Sequence, residues 1–331
     1  MSSGAVEQIA NAILYEGYLL YPYRASALKN QRRWNFGVVY PRGDKRSGDK
    51  RSGDGRSGEQ STGDPWFMQT ECLCQAGPLS SIQIKVRFLR LAEQTNTDTA
   101  SCFQDAEETE IVLPTRRFVE LTTNAVTREF SFPGGVEQQG PVTRCREPLE
   151  GVVTAHATET EGGPWKITVR IENRTPCAIN RQSSSGPDEI LMRSLVSTHT
   201  ILRLRDGDFV SLIDPPEELR HVAGSCANLG TWPVLAGDRG CRDTILSSPI
   251  ILYDYPEIAP ESPGDLFDGT EIDEILTLRI LTMTDREKEE VRQTDPRARQ
   301  LLERTETLPA EDFMRLHGVL RSSASLGGGN S

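Results

Sequence analysis

Strict alternation of apolar and polar residues constrains this chain most. Ile82, Ile84, Val86 and Phe88 interleave with Ser81, Gln83, Lys85 and Arg87. A period of two places one set on each face of a strand, so this run predicts a sheet with one face in a core. Neighbouring segments read the same way. Val152–Ala157 and Trp165–Ile171 form a strand pair around the turn-prone Glu161-Gly162-Gly163-Pro164. Ile201–Leu204 and Phe209–Ile213 flank Asp206-Gly207, a hairpin signal. Strands at this spacing, with such turns, predict an antiparallel sandwich or a curled sheet.

Helices are expected at the two ends. Val6, Ile9, Ala10, Ile13 and Leu14 recur at helical spacing and give residues 5–14 one apolar face. Tyr21-Pro22 then stops or bends the chain, and residues 25–34 read as a second short helix. Beyond Pro215-Pro216, Glu217–Ala223 predicts a short helix, and residues 228–269 read as a proline-rich loop. Thr270, the capping box Thr284/Glu287, Asp295-Pro296 and Leu308-Pro309 each start a C-terminal helix. The fold class is therefore α+β, a β-sandwich-like antiparallel body with an N-terminal helix and a helical C-terminal portion. The expected divisions are 1–40, 41–65, 66–215, 216–321 and a tail at 322–331.

Residues 45–64 repeat a five-residue unit four times: KRSGD, KRSGD, GRSGE and QSTGD. The unit carries no aliphatic or aromatic side chain and cannot offset the entropy of its own ordering. It reads as a flexible insertion between strands at Val38–Tyr40 and Trp66–Cys74.

The formal net charge is −11, unevenly spread. Residues 1–40 carry +2 and 41–64 carry +1, so the rest sums to −14. An acidic body opposes nucleic acid and anionic membrane. No apolar run approaches the ~20 residues that span a bilayer, and no secretory leader is recognisable. Seven scattered cysteines suit reduced thiols better than a disulfide framework, so the expected location is the cytoplasm. The sequon Asn173-Arg174-Thr175 is incidental on that reading.

Catalytic signatures are missing. The four histidines are far apart, and no metal-binding HExxH, nucleophile elbow, P-loop or dinucleotide loop occurs. Cys72-Leu73-Cys74 would put two thiols on one face of a strand, but zinc sites need a second such pair and none exists. Two buried small apolar residues are the simpler reading. No metal and no cofactor are expected.

Two segments stand out as candidate sites. Residues 15–36 concentrate rings and positive charge in an otherwise acidic, ring-poor chain. Tyr21, Tyr23, Arg24, Arg32, Arg33 and Trp34 are of the types that anchor protein contacts, and they form the expected partner-binding site. Core packing is the competing explanation. Residues 254–274 hold eight carboxylates and no Lys or Arg. Asp254, Glu257, Asp265 and Asp268 there make an alternative site, either an acidic docking loop or the carboxylates of a hydrolase or transferase around Tyr253–Asp273. Binding rather than catalysis is the favoured class.

Four long motifs carry a resemblance: LYEGYLLYPYRASALKNQRRWNFG (14–37), FVSLIDPPEELR (209–220), GTWPVLAG (230–237) and SPIILYDYPEIAPESPGDLFDGTEIDEILTLRILTMTD (248–285). They resemble a family of uncharacterised bacterial proteins found in gene neighbourhoods of [NiFe]-hydrogenases of the actinobacterial, oxygen-tolerant, high-affinity kind. The resemblance implies an accessory role in hydrogenase assembly, maturation or scaffolding, with hydrogenase subunits or maturation factors as protein partners. It transfers no functional residues.

Overall fold

The computed structural model describes residues 2–14, 37–42, 65–98, 101–160, 163–176, 187–257 and scattered positions within 283–307. Its body is a single 11-stranded sheet in which every pairing between strands is antiparallel. The organising element is β1, Phe67–Asn96, a strand of 30 residues. Drawn straight it would extend about 100 Å, so it has to bend. It merges the expected strands at 66–74 and 81–88 into one, with a register break between Ala76 and Ser81. At the break, Pro78 has no N–H to give to a ladder. The Gly77 N–H instead reaches Ser80 Oγ at 2.9 Å, and that hydroxyl donates to the Asp206 carbonyl.

β1 changes partners along its length. Phe67–Cys74 pair with β8 (Trp165–Asn173), which pairs in turn with β7 (Leu149–Glu159) and then β4 (Val126–Phe132). Lys85–Asn96 pair with β2 (Ser101–Val112), and Ser81–Ile82 with the two-residue β3 (Arg116–Arg117). The other edge of β1 pairs with β9 (Val196–Val210), and its far end with β6 (Val142–Arg146), itself paired with β5 (Gly135–Gln139). Beyond β9 lie β11 (Thr244–Ser248) and β10 (Trp232–Leu235).

The bend brings the two halves of β1 onto one core. Met68, Cys72 and Cys74 share a buried cluster with Ile82, Ile84, Val86 and Phe88, and with Val153, Ile167, Val169 and Leu202. The alternation read from sequence at 82–88 thus faces inward as expected. Cys72 and Cys74 lie on one face, wholly buried, and burial raises both thiol pKa values. They behave as small apolar core residues.

α1, Ser2–Leu14, covers the opposite face of the sheet. All five residues of its apolar stripe are buried, and Val6, Ile9, Ala10 and Ile13 pack on Ile201, Ala236 and Leu246. Glu7 meets three cations that project from this face: Lys85 at 3.2 Å, Arg87 at 3.5 Å and Arg203 at 3.4 Å. Lys85 and Arg87 are thus roofed over, so the strand is covered on both faces.

Two sequence expectations are corrected. Asp206-Gly207 is not a hairpin turn, because 201–204 and 209–210 belong to one strand, β9. Asp206 takes a φ of 63° at an irregularity opposite the β1 bend, a demand on backbone that resembles a tight turn's. Residues 228–269 are not all loop, because β10 and β11 lie within them. Pro233 is tolerated there because β10 is the terminal strand of its row. The expected hairpin of β7 and β8 is present, as is the short helix after Pro216, a 3-10 turn at Glu217–Leu219 continuing into α2, Arg220–Ala223.

The ends of the repeat-bearing insertion meet. The Tyr40 N–H donates to Pro65 O at 2.9 Å, and the Arg42 guanidinium stacks 4.5 Å from the Trp66 ring centre. The Val38–Tyr40 strand reduces to one bridge, Val39 with Leu195. The second helix at 25–34 and most of the C-terminal helices lie outside the described residues.

Candidate functional site

The outer edge of the sheet at β10 carries a surface that sequence reading touched only at Tyr253 and Asp254, as part of a carboxylate site. It begins with the loop leading into β10, which is tied to β1 through Glu71, a buried carboxylate. Glu71 Oε2 accepts the Ala227 N–H at 2.8 Å and pairs with Lys166 at 3.4 Å. The Asn228 side chain accepts the Glu71 N–H at 2.7 Å and donates to the Glu71 carbonyl at 3.1 Å, as a paired strand would. This fixes the path to Trp232, which is 44% exposed opposite Ser248.

After β11 the chain runs on as Pro249-Ile250-Ile251-Leu252-Tyr253-Asp254. Pro249 packs so close to Gly37 that a Cβ there would meet its ring at 2.7 Å. The Ser248 hydroxyl donates to the Ile250 carbonyl at 2.8 Å. Ile250 and Leu252 then turn inward onto the α1 cluster. Ile251 and Tyr253 consequently turn outward, 75% and 82% exposed. Asp254 closes the segment. Its Oδ2 accepts the Ser211 hydroxyl at 2.5 Å and its Oδ1 accepts the Leu235 N–H at 2.8 Å. The Tyr255 N–H caps the Leu235 carbonyl at 2.7 Å. Two large apolar side chains are therefore held in solvent by a backbone anchored at both ends. Single exposed apolar residues are ordinary; Ile251 and Tyr253, two residues apart on the outward side of an anchored segment, form a contact surface.

Of the expected site residues, Tyr21, Tyr23, Arg24, Arg32, Arg33 and Trp34 lie outside the described residues, as do Asp265 and Asp268. Asp254 and Glu257 are described, and the fold sends them apart. Asp254 spends both oxygens on Ser211 and Leu235, while Glu257 pairs with Arg239 at 2.9 Å on the surface. Ser211 is equally committed, since its oxygen also accepts the N–H groups of Ile213 and Asp214. Asp254 is thus an anchor for the exposed segment. Among the described residues no three His, Cys, Asp or Glu side chains cluster as a metal site, and no helix is long and apolar enough to cross a membrane.

Comparison with protein-family models and with curated proteins yields no match. The geometry of the β10 edge is therefore the main guide to function.

Proposed function

We propose that this is a non-catalytic accessory protein that works through protein–protein contacts and assists assembly, maturation or scaffolding of a [NiFe]-hydrogenase in the cytoplasm. The curled sheet serves as a sandwich-like scaffold, and C-terminal helices within 216–321 complete the proposed architecture. One observation carries the docking reading: Ile251 and Tyr253 stand 75% and 82% exposed on a segment whose alternate residues are packed inward. Tyrosines are enriched among the few residues that dominate binding energy at interfaces, and Ile251 adds apolar area beside Tyr253. The hydrogenase assignment rests on the four motifs that resemble proteins of hydrogenase neighbourhoods, one of which contains this segment.

The test is capture from the native host, with bound proteins identified by mass spectrometry. Wild type is expected to retain hydrogenase subunits or maturation factors. The double variant Ile251→Ser/Tyr253→Ser is expected to lose roughly 30-fold in affinity, the effect of removing one interface hot spot. Retention that survives this variant but fails with Arg32→Glu/Arg33→Glu would move the docking site to the basic N-terminal segment.

A further inference from the structure

We infer that the Ile251–Tyr253 segment receives an extended, lysine- and arginine-rich segment of a partner protein, which adds to it as a strand. The inference rests on the docking reading above and specifies the chemistry of the occupant.

The backbone supplies the first argument. Among the described residues, the N–H and C=O groups of Ile251, Leu252 and Tyr253 make no hydrogen bond. The bonds that fix the segment come at its ends, from Ser248, Asp254 and Tyr255. An extended stretch with side chains alternating in and out, and with free backbone groups, is a template for strand addition. The adjacent edge of β10 is poorer, because Pro233 has no N–H and both backbone groups of Leu235 are taken. An incoming strand therefore pairs with 251–253 and packs its own apolar side chains against Ile251 and Tyr253.

Charge supplies the second argument. Asp254 and Glu257 adjoin the segment, and among the described residues only Glu257 has a neutralising partner, Arg239. The chain then continues to Glu274 with six further carboxylates and no Lys or Arg. A basic segment is drawn to this edge, and an acidic one is repelled. A second copy of the chain, at net charge −11, would bring like charge to the site.

The test replaces Tyr253 with the photo-cross-linker p-benzoylphenylalanine in the full chain, expressed in its host, and sequences the cross-linked peptide. The expected peptide carries more Lys and Arg than Asp and Glu. Its yield is expected to fall several-fold between about 0.05 M and about 0.5 M salt, and with Ile251→Pro, which removes one N–H. An acidic or uncharged peptide, or one from a second copy, overturns the basic partner and leaves docking at this edge standing. A yield that ignores Ile251→Pro, in a variant that melts like wild type, overturns strand addition. No intermolecular cross-link at all overturns both this inference and the docking reading.

Discussion

Asn173→Ala is expected to destabilise the protein by roughly 2–4 kcal/mol, because Arg193 O and the Thr175 N–H lose their partner at about 1–3 kcal/mol each, while Val39 O keeps the Leu195 N–H. Asn173 is wholly buried at the end of β8. Its amide nitrogen donates to Val39 O at 2.9 Å and to Arg193 O at 2.8 Å, and its oxygen accepts the Thr175 N–H at 3.0 Å. It thereby joins the strand to the segment before the insertion and to the approach to β9. The same bonds dispose of the glycosylation motif at 173–175, since both amide protons point into the fold. Denaturant unfolding gives the test. A loss under about 1 kcal/mol would show that Arg193 O and the Thr175 N–H find other partners.

Acidification is expected to cost stability through His199, which is wholly buried beneath α1. Its Nδ1 lies 3.0 Å from Ser197 O and donates to it, and among the described residues Nε2 has no hydrogen-bond partner. Burial, aided by the nearby Arg87 cation, lowers its pKa to about 3 against a hydrogen bond to Ser197 that acts the other way. The folded state therefore holds the ring neutral, while the unfolded chain takes a proton below about pH 6.5. The stability is fully present above that value and drains away as pH falls toward 3, by about 2 kcal/mol between roughly pH 7 and pH 5. Arg87 of β1 lies across the ladder from His199 and is itself paired with Glu7 of α1 and Glu108 of β2. His199→Asn preserves a donor to Ser197 O and does not titrate. Its unfolding free energy should fall less over this range than wild type, by that amount. Equal pH slopes for the two proteins would contradict the assignment.

Sequence made the fold legible where local pattern and burial coincide. The stripe of α1 and the inward set Ile82 to Phe88 needed only periodicity, because each element meets one core on one face. The hairpin of β7 and β8 needed only its glycines. Long-range geometry was not legible. A residue with positive φ serves a hairpin or an irregular strand equally well, and what decided Asp206 was the β1 bend at Gly77-Pro78, far away in the chain. Proline argued for loop at 228–269, yet a terminal strand tolerates it. The candidate site was hidden for a related reason. Ile250-Ile251-Leu252-Tyr253 is apolar throughout, so no alternation marks which pair faces out. That choice belongs to α1, which claims Ile250 and Leu252 from the other end of the sequence. The flanking Pro249 and Pro256 were the available hint of an extended segment.

Amide hydrogen exchange at Ile251, Leu252 and Tyr253, in the free protein and with the captured partner bound, tests the docking edge most directly. Free, these amides have no hydrogen-bond partner among the described residues and should exchange fast. The expected result on binding is slowing of at least about tenfold, centred on this segment. Protection that appears elsewhere while Ile251–Tyr253 stays fast would contradict it.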